Sequence, residues 1–100
     1  MPQVTRKGDT CTGHDCFPPR NSTGGSPNVY VNGIPAHRVG DSWAVHCCTH
    51  PDVPHGCHVG ALASGSSSVF VNGRALGRIG DSVDCGSTVA AGSANVFAGG

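Results

Sequence analysis

Apolar and polar residues alternate in two short stretches of the chain, and each stretch runs into an Asn-Gly pair. Val29-Tyr30-Val31 precedes Asn32-Gly33, and Val69-Phe70-Val71 precedes Asn72-Gly73. β-Branched and aromatic residues favour strands, and Asn-Gly is the strongest signal for a two-residue hairpin, because both turn positions need a positive φ. The pattern therefore predicts two β-hairpins, and no stretch of the chain has the spacing of apolar residues that an amphipathic helix requires.

The two hairpins belong to an internal repeat. Residues 25–42 (GSPNVYVNGIPAHRVGDS) and 65–82 (GSSSVFVNGRALGRIGDS) align with ten identities in 18 positions. A third copy is divided between the chain ends, since residues 92–100 (GSANVFAGG) match its first half and residues 4–10 (VTRKGDT) match its second half. Repetition of this kind is typical of folds built from equivalent units. We therefore expect an all-β fold, a ring of three β-hairpin repeats around a pseudo-threefold axis.

A single domain is expected over residues 1–100. Its three repeat units are residues 25–64, residues 65–91, and residues 92–100 together with 1–24.

An Arg and an Asp recur three residues apart in every unit: Arg6 and Asp9, Arg38 and Asp41, Arg78 and Asp81. Because they recur at equivalent positions, we expect structural ion pairs rather than catalytic groups. The single Trp, Trp43, is expected in the core, whereas His37, on the return strand of its hairpin, is expected to be solvated.

Size and charge restrict the function further. The chain has 100 residues, of which 37% are hydrophobic and 5% aromatic, so its core is thin and needs another source of stability. The formal net charge is zero, and no basic face suited to a nucleic-acid backbone is evident. The first ten residues lack the apolar stretch of a signal peptide, so we expect synthesis in the bacterial cytoplasm. In that compartment six Cys are more typical of metal ligands and free thiols than of disulfides.

Three segments connect the repeated hairpins: residues 10–24, 42–64 and 82–91. These connecting segments contain every Cys and five of the six His. Three equivalent loops around one axis point to the same pole, where their Cys and His can meet as zinc ligands. His14 and His46 each lie five residues after the Asp of their unit, and Cys85 lies four residues after its Asp. The fourth ligand is expected from the longest loop. His55 is preferred there, and three alternatives remain open: His50, His58 and Cys57. The other cysteines are expected to be buried thiols: Cys11, Cys16, Cys47 and Cys48.

These motifs resemble those of the PAAR-repeat proteins. The resemblance is carried by GSPNVYVNGIPAHRVGD, GSSSVFVNGRALGRIGD, GSANVFAGG and the early RKGDTCTGH, and it covers essentially the whole chain. The Pro-Ala-Ala-Arg signature is only partly kept, as Pro35-Ala36-His37-Arg38 and Ala75-Leu76-Gly77-Arg78. The resemblance implies a zinc ion held near the tip by three His and one Cys, a composition that His14, His46, His55 and Cys85 match.

The same resemblance implies a structural protein rather than an enzyme. Such a domain is a small cone and a monomer on its own. It caps and sharpens the trimeric β-helical spike of a type VI secretion system (VgrG) or of a contractile phage tail. It then helps to pierce the target membrane, and effectors can travel on separate chains. Two other function classes are disfavoured. The absence of Glu and of an HExxH motif disfavours a small zinc hydrolase. The absence of a leader disfavours a disulfide-rich secreted module.

Overall fold

A computed structural model of the protein describes residues 1–14, 17–48 and 56–100. All regular secondary structure in these residues is β-structure. Six strands are present: β1 (Tyr30–Val31), β2 (Ile34–Pro35), β3 (Ser42–Cys47), β4 (Cys57–Ala61), β5 (Phe70–Val71) and β6 (Arg74–Ala75). They form three two-stranded antiparallel sheets, β1-β2, β3-β4 and β5-β6. The described residues contain no helix, so the predicted all-β fold is confirmed, and none of them belongs to a helix that could cross a membrane.

The hairpins β1-β2 and β5-β6 have the same register, as the repeat predicts. Tyr30 pairs with Pro35 in the first, and Phe70 pairs with Ala75 in the second. The turn residues Asn32 and Asn72 both have a φ of 54°, and the glycines that follow them have a φ of 77°. Both turns therefore have the left-handed backbone that a two-residue hairpin loop requires.

The two ends of the described chain form the third copy of this hairpin. Gln3 pairs with Phe97 in an antiparallel bridge, at the positions equivalent to the two pairs above. Val4 N donates to Val96 O at 2.9 Å, and the equivalent bond from Ala36 N in β1-β2 measures 3.0 Å. The threefold framework thus consists of β1-β2, β5-β6 and this terminal pair, while β3-β4 belongs to a connecting segment.

Three backbone hydrogen bonds close the units into a ring around the pseudo-threefold axis. Thr5 N donates to Gly77 O at 2.9 Å, Gly77 N to His37 O at 2.9 Å, and His37 N to Thr5 O at 3.3 Å. These three residues, the axis triad, occupy equivalent positions in the three repeats. A Cβ at Gly77 would lie 2.5 Å from Leu62 Cδ2 and 2.9 Å from Thr5 Cγ2, so the axis has no room for a third side chain.

The expectation that His37 is solvated is wrong. Its side chain is fully buried because it lies on the axis, where its ring packs against that of Trp43 with centroids 5.1 Å apart. His37 Nδ1 lies 2.8 Å from the carbonyl oxygen of Gly24, which can only accept, so Nδ1 carries the proton. Trp43 is buried, as predicted.

Each repeated Arg pairs with the Asp three residues later, which confirms the structural interpretation of these residues. The Nε–Oδ2 distances are 2.9 Å for Arg6 and Asp9, 2.8 Å for Arg38 and Asp41, and 3.0 Å for Arg78 and Asp81. Each Arg also donates to the hairpin turn of the next unit; the acceptors are Asn32 Oδ1, Asn72 Oδ1 and Gly99 O. These bonds tie every unit to its neighbour.

Two small apolar clusters form the core of a molecule that measures 42 × 24 × 22 Å. The first lies among the framework hairpins and comprises Val4, Val31, Ala36, Val71, Leu76 and Ala98. The second lies among the connecting segments and comprises Cys11, Trp43, Leu62, Val83 and Val89. Neither contains more than six buried side chains, so the thin core expected from the composition is present.

Candidate metal centre

One His/Cys cluster able to hold a metal ion is found in the described part of the chain. Its members are His14, His46, His58 and Cys85, and their ligand atoms all lie within 4.8 Å of one another. His58 Nε2 lies 3.0 Å from His14 Nε2 and 2.7 Å from His46 Nε2. Ring nitrogens that share a tetrahedral zinc ion at normal bond lengths lie about 3.3 Å apart. Three imidazoles and one thiol, converging this closely, fit a zinc-type ion; we call these four residues the metal cluster.

A β-bulge in β3 brings His46 into the cluster. Trp43 pairs with Gly60 and His46 pairs with His58, so three steps along β3 match two steps along β4. In a regular strand, residues three positions apart face opposite sides. The extra residue places Trp43 and His46 on the same inner face, where their exposed fractions are 1% and 3%.

Two backbone hydrogen bonds join His14 to Phe17. His14 N donates to Phe17 O at 3.0 Å, and Phe17 N donates to His14 O at 2.7 Å. Gly13 makes the approach possible, because a Cβ there would lie 2.6 Å from Phe17 O. The same fold places the buried Phe17 ring against all three imidazoles of the cluster, with its centroid 4.2 Å from that of His58.

Cys85 sits in a tight turn between Val83 and Gly86. Gly86 N donates to Val83 O at 3.0 Å, and Gly86 has a φ of 108°, in the left-handed region that favours glycine. The thiol is free, is partly buried and packs against the second core cluster. The turn therefore projects the sulfur from the third connecting segment toward the histidines from the other two.

Hydrogen bonding leaves a lone pair on the ligand nitrogen of His46. Its Nδ1 lies 2.9 Å from Pro18 O, which can only accept, so Nδ1 carries the proton and Nε2 carries the lone pair in the neutral ring. A second bond of this kind commonly fixes the tautomer of a metal-ligating histidine. Nε2, which is aimed at His58, is therefore free to bind a cation.

A lowered pKa favours the neutral form of two of the cluster histidines. Burial lowers the pKa of His46, Arg20 and His14 lower it further, and the Pro18 carbonyl opposes the shift. Desolvation likewise lowers the pKa of His58, and repulsion from His46 and His14 adds to it. Neutral imidazole is the form that coordinates metal ions.

Arg20 is the residue beside the cluster that the sequence did not reveal. It is buried, and its Nη2 donates to Cys85 Sγ at 2.9 Å. Its Nη1 donates to Ala44 O in β3 at 2.7 Å. Neither Arg20 nor Phe17 lies in the repeated hairpin motif, so alignment of that motif between the units could not identify them.

Three of the four expected ligands, His14, His46 and Cys85, lie together in the cluster. His55 falls outside the described residues, so its role stays a prediction. The histidine that completes the cluster is His58, which the sequence left open as an alternative. Its selection follows from the register of β3-β4, which puts it directly opposite His46.

The expectation that Cys47 is a buried thiol is wrong. β3 and β4 place it opposite Cys57 with a Cα–Cα distance of 4.1 Å, and the two residues form a disulfide. Cys57, which was also open as a fourth ligand, is therefore not a thiolate here. The disulfide lies one pair beyond His46 and His58 and cross-links the two strands that carry these ligands. The same expectation is wrong for Cys48, which is also disulfide-bonded, and Cys16 lies outside the described residues. The thiol of Cys11 is free and buried, as expected.

The sequence profile of the PAAR motif family matches residues 12–91 of the chain. No curated protein has significant similarity to it. The matched region contains two of the repeat units, all three connecting segments except the first two residues of the first segment, and every member of the metal cluster. The family consists of structural, non-enzymatic proteins at the spike tip of type VI secretion systems. The expected resemblance is therefore confirmed, and the chain belongs to the PAAR motif family.

Proposed function

We propose that this protein caps the blunt end of a trimeric β-helical spike of the VgrG type, forms its metal-stapled point, and helps it to pierce the target membrane. The observation that carries the proposal is a set of three exposed aromatic side chains at equivalent positions of the threefold framework. They are Tyr30, Phe70 and Phe97, with exposed fractions of 56%, 58% and 46%. We call the surface formed by these three side chains the base.

A threefold base suits a threefold partner. A trimeric β-helix ends in three strand edges and an apolar interior, and both are unfavourable in water. Each framework hairpin can cover one edge, and each aromatic side chain can cover part of the interior. Half-exposed aromatic rings are unfavourable on an isolated small protein, so their regular placement is better explained by a partner than by the folded chain itself.

The metal ion we propose is zinc, held by His14, His46, His58 and Cys85. Four protein ligands of this type are the usual composition of a structural zinc site, in which the ion contributes folding energy directly. The described core consists of two small clusters. A metal cross-link between three connecting segments supplies rigidity that the core is too small to give, and a point driven through a membrane needs that rigidity.

Binding of the purified protein to a trimeric VgrG spike, measured by calorimetry, tests the cap. We expect one copy of the chain per spike trimer. Replacing Tyr30, Phe70 and Phe97 with Ser should weaken binding strongly, because each exposed ring contributes about 2 kcal/mol when it is covered.

The matched control replaces Val45 and Val59 with Ser. These valines lie on β3-β4 and have exposed fractions of 59% and 63%, but they are not part of the base. The control should bind like the natural chain. Equal losses in both variants, or three copies bound per trimer, would count against the proposed orientation.

A further inference from the structure

Arg20 connects the parts of the tip that carry the metal cluster. It lies in the first connecting segment, and its guanidinium donates to Cys85 Sγ at 2.9 Å, to Ala44 O at 2.7 Å and, over 3.4 Å, to His58 O. The acceptors belong to the third connecting segment, to β3 and to β4. With an exposed fraction of 5%, Arg20 is one of the most deeply buried charged side chains in the described residues.

The space that Arg20 occupies depends on a residue without a side chain. A Cβ at Gly60 would lie 2.8 Å from Arg20 Nη2, the atom that donates to the sulfur, and 2.9 Å from Asp84 Oδ1. Gly60 has no positive φ, so its backbone conformation does not require glycine. Room for the guanidinium is therefore a physical reason for glycine at this position.

We propose that Arg20 is a positioning residue of the metal centre, which orients Cys85 Sγ toward the three imidazoles and moderates its charge through a hydrogen bond from a cation. The inference rests on the metal site of the proposed function. Groups around a metal centre that bond to its ligands fix the orientation of those ligands and tune the metal. A charge-assisted hydrogen bond is also stronger than a neutral one, so its removal should be measurable at the sulfur itself.

The effect on the sulfur has a definite sign. A guanidinium next to a metal-bound thiolate stabilises the sulfur lone pairs, so it raises the energy needed to transfer an electron from sulfur to metal. It also makes the sulfur less nucleophilic. Loss of Arg20 should therefore shift the thiolate-to-metal charge-transfer band to longer wavelength and speed the alkylation of Cys85. Loss of a residue that only filled space would change the stability of the tip but would leave the wavelength of the band and the alkylation rate of Cys85 unchanged.

Cobalt(II) is a suitable probe, because it binds the same donor atoms as zinc and has a visible spectrum. We would load the natural chain and Arg20→Met with Co²⁺, record the charge-transfer band, and follow alkylation of the loaded protein by iodoacetamide. We expect a shift of the band to longer wavelength and alkylation of Cys85 that is faster by about tenfold. Arg20→Lys, which retains the cation, should recover part of both effects.

Two further variants make the test decisive. Gly60→Ala keeps the charge of Arg20 but displaces Nη2, so it should reproduce the shift of the band. It also provides the test of Arg20 if Arg20→Met does not fold. Arg74→Met removes an arginine that is 48% exposed and pairs with Asp41, and it should leave the spectrum unchanged.

If Co²⁺ binds and neither Arg20→Met nor Gly60→Ala moves the band, the role of Arg20 is wrong and the metal site stands. If the natural chain binds no Co²⁺ or Zn²⁺, the metal site and the role of Arg20 fail together.

Discussion

Replacement of His58 by Ala tests the metal centre at its most central ligand. His58 Nε2 is the atom that lies within 3.0 Å of both other ring nitrogens, so its loss opens the cluster on the β4 side. The side chain is only partly buried, and its closest ring contact is with Phe17 at a centroid distance of 4.2 Å. We therefore expect little loss of packing in the metal-free protein and a large loss in the metal-loaded protein.

The size of the loss follows from binding linkage. Removing a group that merely orients a metal ligand weakens metal binding by 10- to 100-fold, so we take about 1,000-fold for a ligand itself. At a metal concentration well above the dissociation constants of both the natural chain and the variant, that factor removes about 4 kcal/mol of stabilisation. For a domain of this size, 1 kcal/mol corresponds to about 4–8 °C, so the metal-loaded variant should melt about 16–32 °C below the natural chain.

The assay is thermal unfolding followed by circular dichroism, with zinc in excess and again after chelation by EDTA. His55→Ala is the matched control, since it removes a histidine from the same connecting segment, and it also tests the ligand expected from the sequence. We expect His55→Ala to retain the zinc-dependent rise in melting temperature. Should His55→Ala lose that rise while His58→Ala keeps it, the fourth ligand is His55 and the reasoning from the β3-β4 register is refuted.

Three further perturbations test the framework. Arg38→Met leaves the carboxylate of Asp41 buried with Arg74 as a remaining cationic partner. It should lower the free energy of unfolding, measured in urea, by about 3 kcal/mol, and a loss below about 1 kcal/mol would contradict a structural role. Burial lowers the pKa of His37 below its ordinary value of about 6.5, and the Gly24 carbonyl and Asp41 oppose this shift only in part. The unfolded chain therefore takes up a proton first, and stability falls as the pH drops below about 6.5. His37→Thr copies the equivalent residue of another unit. Between pH 7 and pH 5, its free energy of unfolding should fall less than that of the natural chain, by a difference of up to about 2 kcal/mol. Equal falls in the two proteins would refute this. Serine at both Cys47 and Cys57 should lower stability by about 3 kcal/mol. Reductant should destabilise the natural chain by at least that amount, because Cys48 is disulfide-bonded as well; insensitivity of the natural chain to reductant would contradict the disulfide.

The framework could be predicted because its interactions are local and occur three times. Ser26 Oγ accepts hydrogen bonds from the backbone N–H groups of Asn28 and Val29 at 3.2 and 2.9 Å, and Ser66 and Ser93 make the equivalent bonds in their units. Such bonds, like the Arg–Asp pairs and the Asn-Gly turns, depend on residues two to three positions apart. The sequence therefore contains each of them as a motif, and repetition distinguishes the motif from chance.

The metal cluster could be predicted only in part, because its completion depends on the register between two strands. Counting from the repeated Asp gave His14, His46 and Cys85, which each belong to one unit. His58 has no equivalent in the other units. It joins the cluster because an extra residue in β3, between Trp43 and His46, sets which residue of β4 lies opposite His46. A bulge of one residue leaves no clear mark in the sequence, and the disulfide at Cys47 depends on the same register.

The axis explains why the three units cannot be identical. Off the axis, equivalent side chains are far apart, so the same residue can serve three times, as the Arg–Asp pairs do. On the axis, three copies of one side chain would have to occupy the same space. The axis triad solves this with three different residues, a fully buried His37, a smaller Thr5, and Gly77, whose missing Cβ leaves room for the other two. The metal cluster sets a second condition, since His14, His46 and Cys85 would bind one ion from three directions and a fourth ligand would have to come from one unit alone. A single chain with three divergent repeats can meet both conditions, whereas a symmetric trimer of identical chains would place three copies of every residue around the axis. The divergence of the repeats at these positions is therefore what allows a threefold framework to end in a single closed point.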